Sequence, residues 1–315
     1  MLLFCRPTKC NHGTRDELMN ARLRPRRSVL YMPGSNARAL EKAKTLDADC
    51  LILDLEDSVA PDAKEAAREQ VREAVSKGGY GHRELIIRVN ALETPWGGED
   101  LLAAIAAKPH AILAPKISMP GHLAAVRKVF SAADVNGAIP LWIMMETPLA
   151  MLNAGEIAAE AANSDAPVTA LVMGTNDLAK ETGASLGGAR AAMLPWLMTC
   201  VAAARANGLA IIDGVYNDIA DTEGFLAECR QGRDIGMDGK TIIHPGQIAG
   251  ANDVFAPSES DVAWAKKVIA AFERPENASR GVISLEGRMV ERLHAEMARK
   301  TVAMADAIAA RKAVS

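Results

Sequence analysis

Cys50-Leu51-Ile52-Leu53 runs into Asp54-Leu55-Glu56-Asp57, so four consecutive apolar residues end abruptly in a group of acids. A strand with no polar face is covered on both sides, which suits a parallel sheet flanked by helices, where charge is tolerated only at the open strand end. The same form recurs along the chain. Leu85-Ile86-Ile87 ends at Arg88-Val89-Asn90, Ala111-Ile112-Leu113-Ala114-Pro115 at Lys116, Leu141-Trp142-Ile143-Met144-Met145 at Glu146, and Leu171-Val172-Met173-Gly174 just before Asn176-Asp177.

Between these runs lie segments of helical periodicity, such as 37–46, 62–76, 101–107 and 191–206. The last has Pro195 near its start and Asn207-Gly208 at its end, the usual order of helix start and stop. Strands are expected at 28–31, 50–53, 85–89, 111–114, 141–145, 170–173, 210–212 and 241–243. Eight strand-helix units favour an α/β chain folded as a closed (β/α)8 TIM barrel. Beyond them, Ser258-Glu259-Ser260-Asp261 has the form of a capping box opening a helix to 272. Residues 273–278 read as a linker, 281–287 as a short hairpin or turn, and 288–311 as a helix. The division is an N-terminal arm (1–26), disordered or helical, a barrel (27–272) and a small C-terminal helical lid segment (273–315).

Composition narrows the class. Thirty-six basic residues against 39 acidic ones, five phenylalanines and no basic stripe argue against nucleic acid as a partner. No apolar stretch reaches the roughly 20 residues that cross a bilayer, and Arg6 comes too early for a secretory signal, so a soluble cytoplasmic protein is expected. Five scattered cysteines without Cys-x-x-Cys spacing indicate neither a disulfide frame nor a thiolate zinc site. Seven basic and two acidic residues in 1–27 leave a transit peptide as the alternative to a simple arm.

In a parallel barrel the carboxyl ends of different strands meet over one mouth, which brings Glu56, Asp57, Arg88, Lys116, Glu146 and Asp177 around one pocket. Glu146 and Asp177 end successive strands and are candidate ligands for an oxygen-preferring divalent cation; alternatively each pairs with a barrel lysine or arginine. Arg88 offers bidentate donors to an oxoacid, or makes an ion pair with Asp54 or Glu56. His244 ends the eighth strand and either contacts substrate or is satisfied by backbone. Gly239-Lys240-Thr241 imitates the end of a phosphate loop, but Asp234 stands where the first glycine of that motif belongs. No serine-hydrolase elbow or dinucleotide fingerprint is present.

Read in order, these stations resemble the citrate lyase β-subunit-like and malyl-CoA lyase branch of the HpcH/HpaI aldolase/citrate lyase family. They are Arg27-Ser28-Val29-Leu30-Tyr31-Met32-Pro33-Gly34, Asp54-Leu55-Glu56-Asp57-Ser58-Val59-Ala60-Pro61, Arg88-Val89-Asn90, Pro115-Lys116 and Met145-Glu146-Thr147, then Gly174-Thr175-Asn176-Asp177-Leu178, Asp213-Gly214-Val215 and Gly239-Lys240-Thr241-Ile242-Ile243-His244-Pro245-Gly246-Gln247. The resemblance implies Mg²⁺, with Mn²⁺ as substitute, on Glu146 and Asp177, and Arg88 on the oxoacid. It further implies Tyr31 and Lys42 near a CoA ester, Asn176, Ile243 and His244 as further substrate contacts, and Glu56, Asp57 and Lys116 in support. It also implies a homotrimer or hexamer whose lids are exchanged between subunits, with Gly287-Arg288-Met289-Val290-Glu291 matching the lid segment. Glu291 stands where the lyases carry a catalytic aspartate. Pro148 is a second departure, in a loop usually built from small residues.

The activity this implies first is an oxo-acid lyase reaction: reversible carbon-carbon cleavage of a β-hydroxyacyl-CoA such as malyl-CoA, β-methylmalyl-CoA or citramalyl-CoA to an acyl-CoA and glyoxylate or pyruvate. The alternatives are a malyl-CoA thioesterase, in which the same site turns water onto the thioester, and citryl-CoA cleavage as a citrate lyase β subunit. A CoA-free oxoacid aldolase fits less well, and a catalytically silent CoA-ester-binding protein fits poorly with the Arg88, Glu146 and Asp177 set.

Overall fold

The computed structural model describes residues 24–133, 139–162, 166–277 and 279–314. The expected N-terminal arm lies outside the described residues as far as residue 23. The described residues divide into two compact units, one of Arg26–Ala256 with residues 311–314, the other of residues 24–25 with Pro257–Ala310. Among the described residues no helix is long and apolar enough to cross a membrane.

Eight parallel strands close a barrel in the larger unit: β1 (Ser28–Pro33), β2 (Cys50–Asp54), β3 (Glu84–Arg88), β4 (Ala111–Ala114), β5 (Leu141–Met145), β6 (Val168–Met173), β7 (Ala210–Asp213) and β8 (Gly239–Ile242). Closure is direct, because β1 pairs with β2 from Val29↔Cys50 and with β8 from Ser28↔Lys240. Every expected strand is present, with ends shifted by two residues at most.

Side chains alternate across each strand, and here the two sets separate cleanly. Val29, Cys50, Ile52, Ile86, Leu113, Trp142, Met144, Ala170, Val172 and Ile212 pack into one buried cluster inside the barrel. Their neighbours Leu51, Leu53, Ile87, Ile112, Ile143, Leu171 and Ile211 belong to the layer shared with the helices. Continuing the inward series by two residues leads to Asp54, Arg88 and Glu146, which places three charges on the top layer. At the opposite end Glu84 takes Arg26 through both carboxylate oxygens at 2.7 and 2.8 Å, and that guanidinium lies 5.1 Å from the Trp142 ring centre.

Asp213 and Lys240 fall on the outward register, and this decides their role. Lys240, fully buried, donates to Asp213 Oδ2 (3.0 Å), Glu228 Oε1 (2.6 Å) and the Gly214 carbonyl (2.6 Å). Arg190 reaches Asp213 Oδ1 at 2.7 Å and Glu228 at 3.2 Å. Lys240 is therefore a partner of buried carboxylates, and the imitation phosphate loop is a strand. Burial alone would raise the Asp213 carboxyl, but Lys240 and Arg190 overcome it and hold the group below its ordinary value.

In the smaller unit Ser258 caps the helix Glu259–Glu273 in a reciprocal box with Asp261, as the sequence suggests. The helix buries Ala265, Val268, Ala271 and Phe272 against Ile283, Val290, Ala295 and Ala298, so it packs with the hairpin that follows it. That hairpin is β9 (Val282–Leu285) antiparallel to β10 (Arg288–Glu291). Glu286 and Gly287 at its turn have φ of 50° and 77°, the left-handed pair that matches strand twist in a two-residue turn. The closing helix, Arg292–Val314, thus starts four residues later than the 288 expected from periodicity, because 288–291 pairs as a strand.

Replacing Lys240 by methionine should destabilise the protein by about 3–5 kcal/mol, since Asp213 and Glu228 would lose their buried partner. Urea unfolding of the purified variant measures this; a change under about 1 kcal/mol would mean the network contributes little.

Candidate active site

The top layer is organised around Arg88, which is buried and surrounded by acids. Asp54 accepts from its Nε and Nη2 at 2.6 and 2.7 Å, a bidentate pair that fixes the plane of the guanidinium. The same carboxylate accepts the backbone N–H groups of Glu56 (2.9 Å) and Ser58 (3.1 Å), so one residue sets both the arginine and the loop after β2. Lys64 adds a second pin, donating to the carbonyls of Leu55 and Glu56 and to Asn90 Oδ1 at 2.9, 3.0 and 2.9 Å. Nη1 of Arg88 remains, with Asp57 at 3.4 Å and Glu56 Oε2 at 2.7 Å but out of line with the N–H bonds. Tyr31 from β1 lies under the guanidinium at 4.8 Å.

The electrostatics follow from this crowding. Burial pushes the Glu56 carboxyl up to about 8; Arg88 pulls it down, while Glu146 and Asp57 add repulsion. Burial would also raise Asp54, but Arg88 prevails and holds it below its ordinary value. The Tyr31 phenol is raised by burial, against the pull of Arg88.

Beside this group stands Glu146, 1 % exposed. Its Oε1 accepts the Lys116 backbone N–H at 2.7 Å, and its Oε2 has no hydrogen-bond partner. Lys116 has φ of 56°, a left-handed conformation that costs a non-glycine residue about 1–2 kcal/mol and here aims its N–H at the carboxylate. Its ammonium lies 2.6 Å from Asp177 Oδ1 and 3.6 Å from Glu146 Oε1. Gly174 leaves the space Glu146 occupies, for a Cβ at that position would come within 2.4 Å of the Glu146 Cβ and 2.8 Å of Oε2. Burial raises the Glu146 carboxyl to about 7 against the opposing pull of Lys116.

These donors suit a divalent cation. Among the described residues Asp54, Glu56, Asp57, Glu146 and Asp177 form ion pairs with Arg88 and Lys116, and two buried carboxylate oxygens, Glu56 Oε2 and Glu146 Oε2, accept no hydrogen bond. Among the described residues no three His, Cys, Asp or Glu side chains are grouped to hold an ion by themselves. An ion on Glu146 and Asp177 would complete its shell with water and substrate oxygens, as Mg²⁺ commonly does. Both partnerships that the sequence left open as alternatives, Arg88 with Asp54 and Glu56 and the acids with Lys116, are present in this structure.

The remaining candidates are less closely joined. Asn176 is exposed and exchanges two hydrogen bonds with Asn217 at 3.1 and 2.8 Å. Ile243 is 38 % exposed after β8, and His244 caps the next turn, its Nδ1 accepting the Gly246 N–H at 3.1 Å. Lys42 is exposed on the helix Ala37–Ala43. Glu291 ends β10 in the smaller unit, where its N–H donates to His294 Nδ1 at 2.9 Å. Pro148 takes the first turn of the short helix Pro148–Leu152 behind the Thr147 cap, where its missing N–H costs nothing. Sequence reasoning missed Lys64, whose acceptors are mostly backbone carbonyls, and treated Asp54 only as a possible partner of Arg88.

Comparison with known proteins bears on this mouth. The pattern of the HpcH/HpaI aldolase/citrate lyase family matches residues 27–245. A (3S)-malyl-CoA thioesterase of Cereibacter sphaeroides (strain KD131 / KCTC 12085) is 51% identical over 289 residues, covering 92% of this chain and 98% of that protein. An L-malyl-CoA/beta-methylmalyl-CoA lyase of Cereibacter sphaeroides (strain ATCC 17029 / ATH 2.4.9) is 33% identical over 311 residues, covering 91% and 96%. The crystal structure of CitE from Mycobacterium tuberculosis in complex with magnesium, acetoacetate and coenzyme A superposes with a TM-score of 0.72 at 28% identity, covering 90% of this chain and 99% of that one. The carbon-carbon lyase expected first from the sequence is corrected by these identities: the thioesterases share about half of all residues and the lyases about a third. The motifs read from the sequence are compatible with either activity and did not separate them.

Gly174→Ala should distort Glu146 and lower activity at least roughly tenfold, with about 1–3 kcal/mol lost from overpacking. Gly155→Ala, with nothing within 4 Å of its new Cβ, serves as the unperturbed control. Equal activity of both variants in a steady-state assay would contradict the packing described.

Proposed function

We propose, for a chain that belongs to the HpcH/HpaI aldolase/citrate lyase family, that it is a hydrolase of (3S)-malyl-CoA or a closely similar 3-hydroxyacyl-CoA thioester. The observation that carries this reading is the 51% identity to thioesterases across 92% of the chain. The reaction adds water across the thioester C–S bond, giving free 3-hydroxydicarboxylate and CoA thiol. Hydroxyl and carboxylate oxygens on the acid portion match a mouth that carries Arg88, Lys116 and carboxylates able to hold an ion.

Glu146 and Asp177 would hold Mg²⁺, which CitE carries in its complex, and the ion would supply Lewis-acid polarisation of substrate oxygen. Arg88 presents Nη1 to the acid, because Asp54 already occupies Nε and Nη2. A guanidinium held in one plane receives the substrate's carboxylate with little reorganisation. Lys64 and Asp54 keep the 54–58 loop from moving into the space Arg88 faces. Tyr31, half-buried with its ring against Arg88, limits water on the other side of the guanidinium. The role of Glu291 as catalytic carboxylate rests on the family resemblance and is tested by Glu291→Gln.

Purified protein with Mg²⁺ and (3S)-malyl-CoA should release malate and free CoA in equal amounts. Arg88→Met and Glu146→Gln should each lower turnover by roughly 10²-fold or more, and chelation should abolish it. Acetyl-CoA and glyoxylate as the products, measured by mass spectrometry, would overturn the reading.

A further inference from the structure

Lys116 is placed where the proposed ion would act, and its geometry gives it a definite task. Its ammonium sits between two carboxylates, at 2.6 Å from Asp177 and 3.6 Å from Glu146. Its backbone is held separately: the N–H bonds Glu146, and the carbonyl accepts from Ser118 Oγ at 3.3 Å beside His122 Nδ1 at the same distance. The side chain is 33% exposed and flexible, so the ammonium can leave while the backbone stays.

We propose that Lys116 is a tethered counter-ion: its ammonium joins Glu146 to Asp177 in the metal-free protein, and a divalent ion enters only by displacing it. The inference rests on the assignment of Glu146 and Asp177 as the metal ligands. A Mg²⁺ ion binds carboxylate oxygens at about 2.0–2.1 Å, and a positive charge left beside it would be repelled strongly. The lysine thus keeps two neighbouring carboxylates compensated in the absence of metal, and weakens metal binding to an exchangeable level. Because the Glu146 oxygen is oriented by a main-chain N–H, removing the side chain leaves that ligand aimed as before.

The test is Mn²⁺ binding to the full-length protein, followed by the electron paramagnetic resonance signal of the free ion. Lys116→Met should bind Mn²⁺ roughly tenfold tighter or more than wild type, whereas Lys116→Arg, which keeps the charge, should stay at wild-type affinity or below. Equal or weaker binding by Lys116→Met overturns the inference. Glu146→Gln separates the premise: if it binds Mn²⁺ as wild type does, the ligand assignment fails and the inference with it. Wild-type protein gives an independent readout through reductive methylation mapped by peptide mass spectrometry. Lys116 should react faster with Mg²⁺ present than without it, and unchanged or slower labelling would refute displacement.

Discussion

The site depends on a local excess of negative charge that the barrel forces to its open end. Asp54, Glu56, Asp57, Glu146 and Asp177 share the space with Arg88 and Lys116, and two of the acids are almost fully buried. Burial makes each additional negative charge costly, which is why Glu56 and Glu146 rise to about 8 and about 7. Such an arrangement is stable when cations are held close, and it is chemically useful because a ligand carrying oxygen atoms can share them. The paired functions of Asp54, holding Arg88 and the 56–58 loop at once, show how the cost is contained.

The strands were legible because burial on both faces leaves an uninterrupted apolar run, and the run ends where solvent begins. The residues at those ends could be named for the same reason: Arg88 and Glu146 continue the inward-facing series of β3 and β5. Roles were harder. Whether Arg88 meets a substrate or Asp54 is a matter of side-chain geometry, and the structure has it meeting Asp54 while keeping Nη1 toward the other acids. The left-handed backbone of Lys116 carries no local sequence signal, since lysine rarely adopts it and its N–H meets a carboxylate 30 residues away. Residues 288–291 read as helix because their periodicity continues into the helix that follows, and only pairing with 282–285 makes them a strand.

Function was legible to the level of the family, and the bond expected to break first is the part that was corrected. A carbon-carbon lyase and a thioesterase of one CoA ester would hold the same acid portion, so the expectation for Arg88, Glu146 and Asp177 did not distinguish them. What distinguishes them is which proton is removed and whether water reaches the carbonyl, and those depend on small displacements that motifs do not encode. Identity of 51% across most of the chain favours the thioesterase reading where single residues do not decide.

Hydrolysis in ¹⁸O-labelled water tests the account most directly. Attack of water on the thioester predicts malate with one ¹⁸O atom in the carboxylate that had been bound to sulfur, released together with free CoA. Malate without label, or label absent because the CoA product is acetyl-CoA, would contradict it.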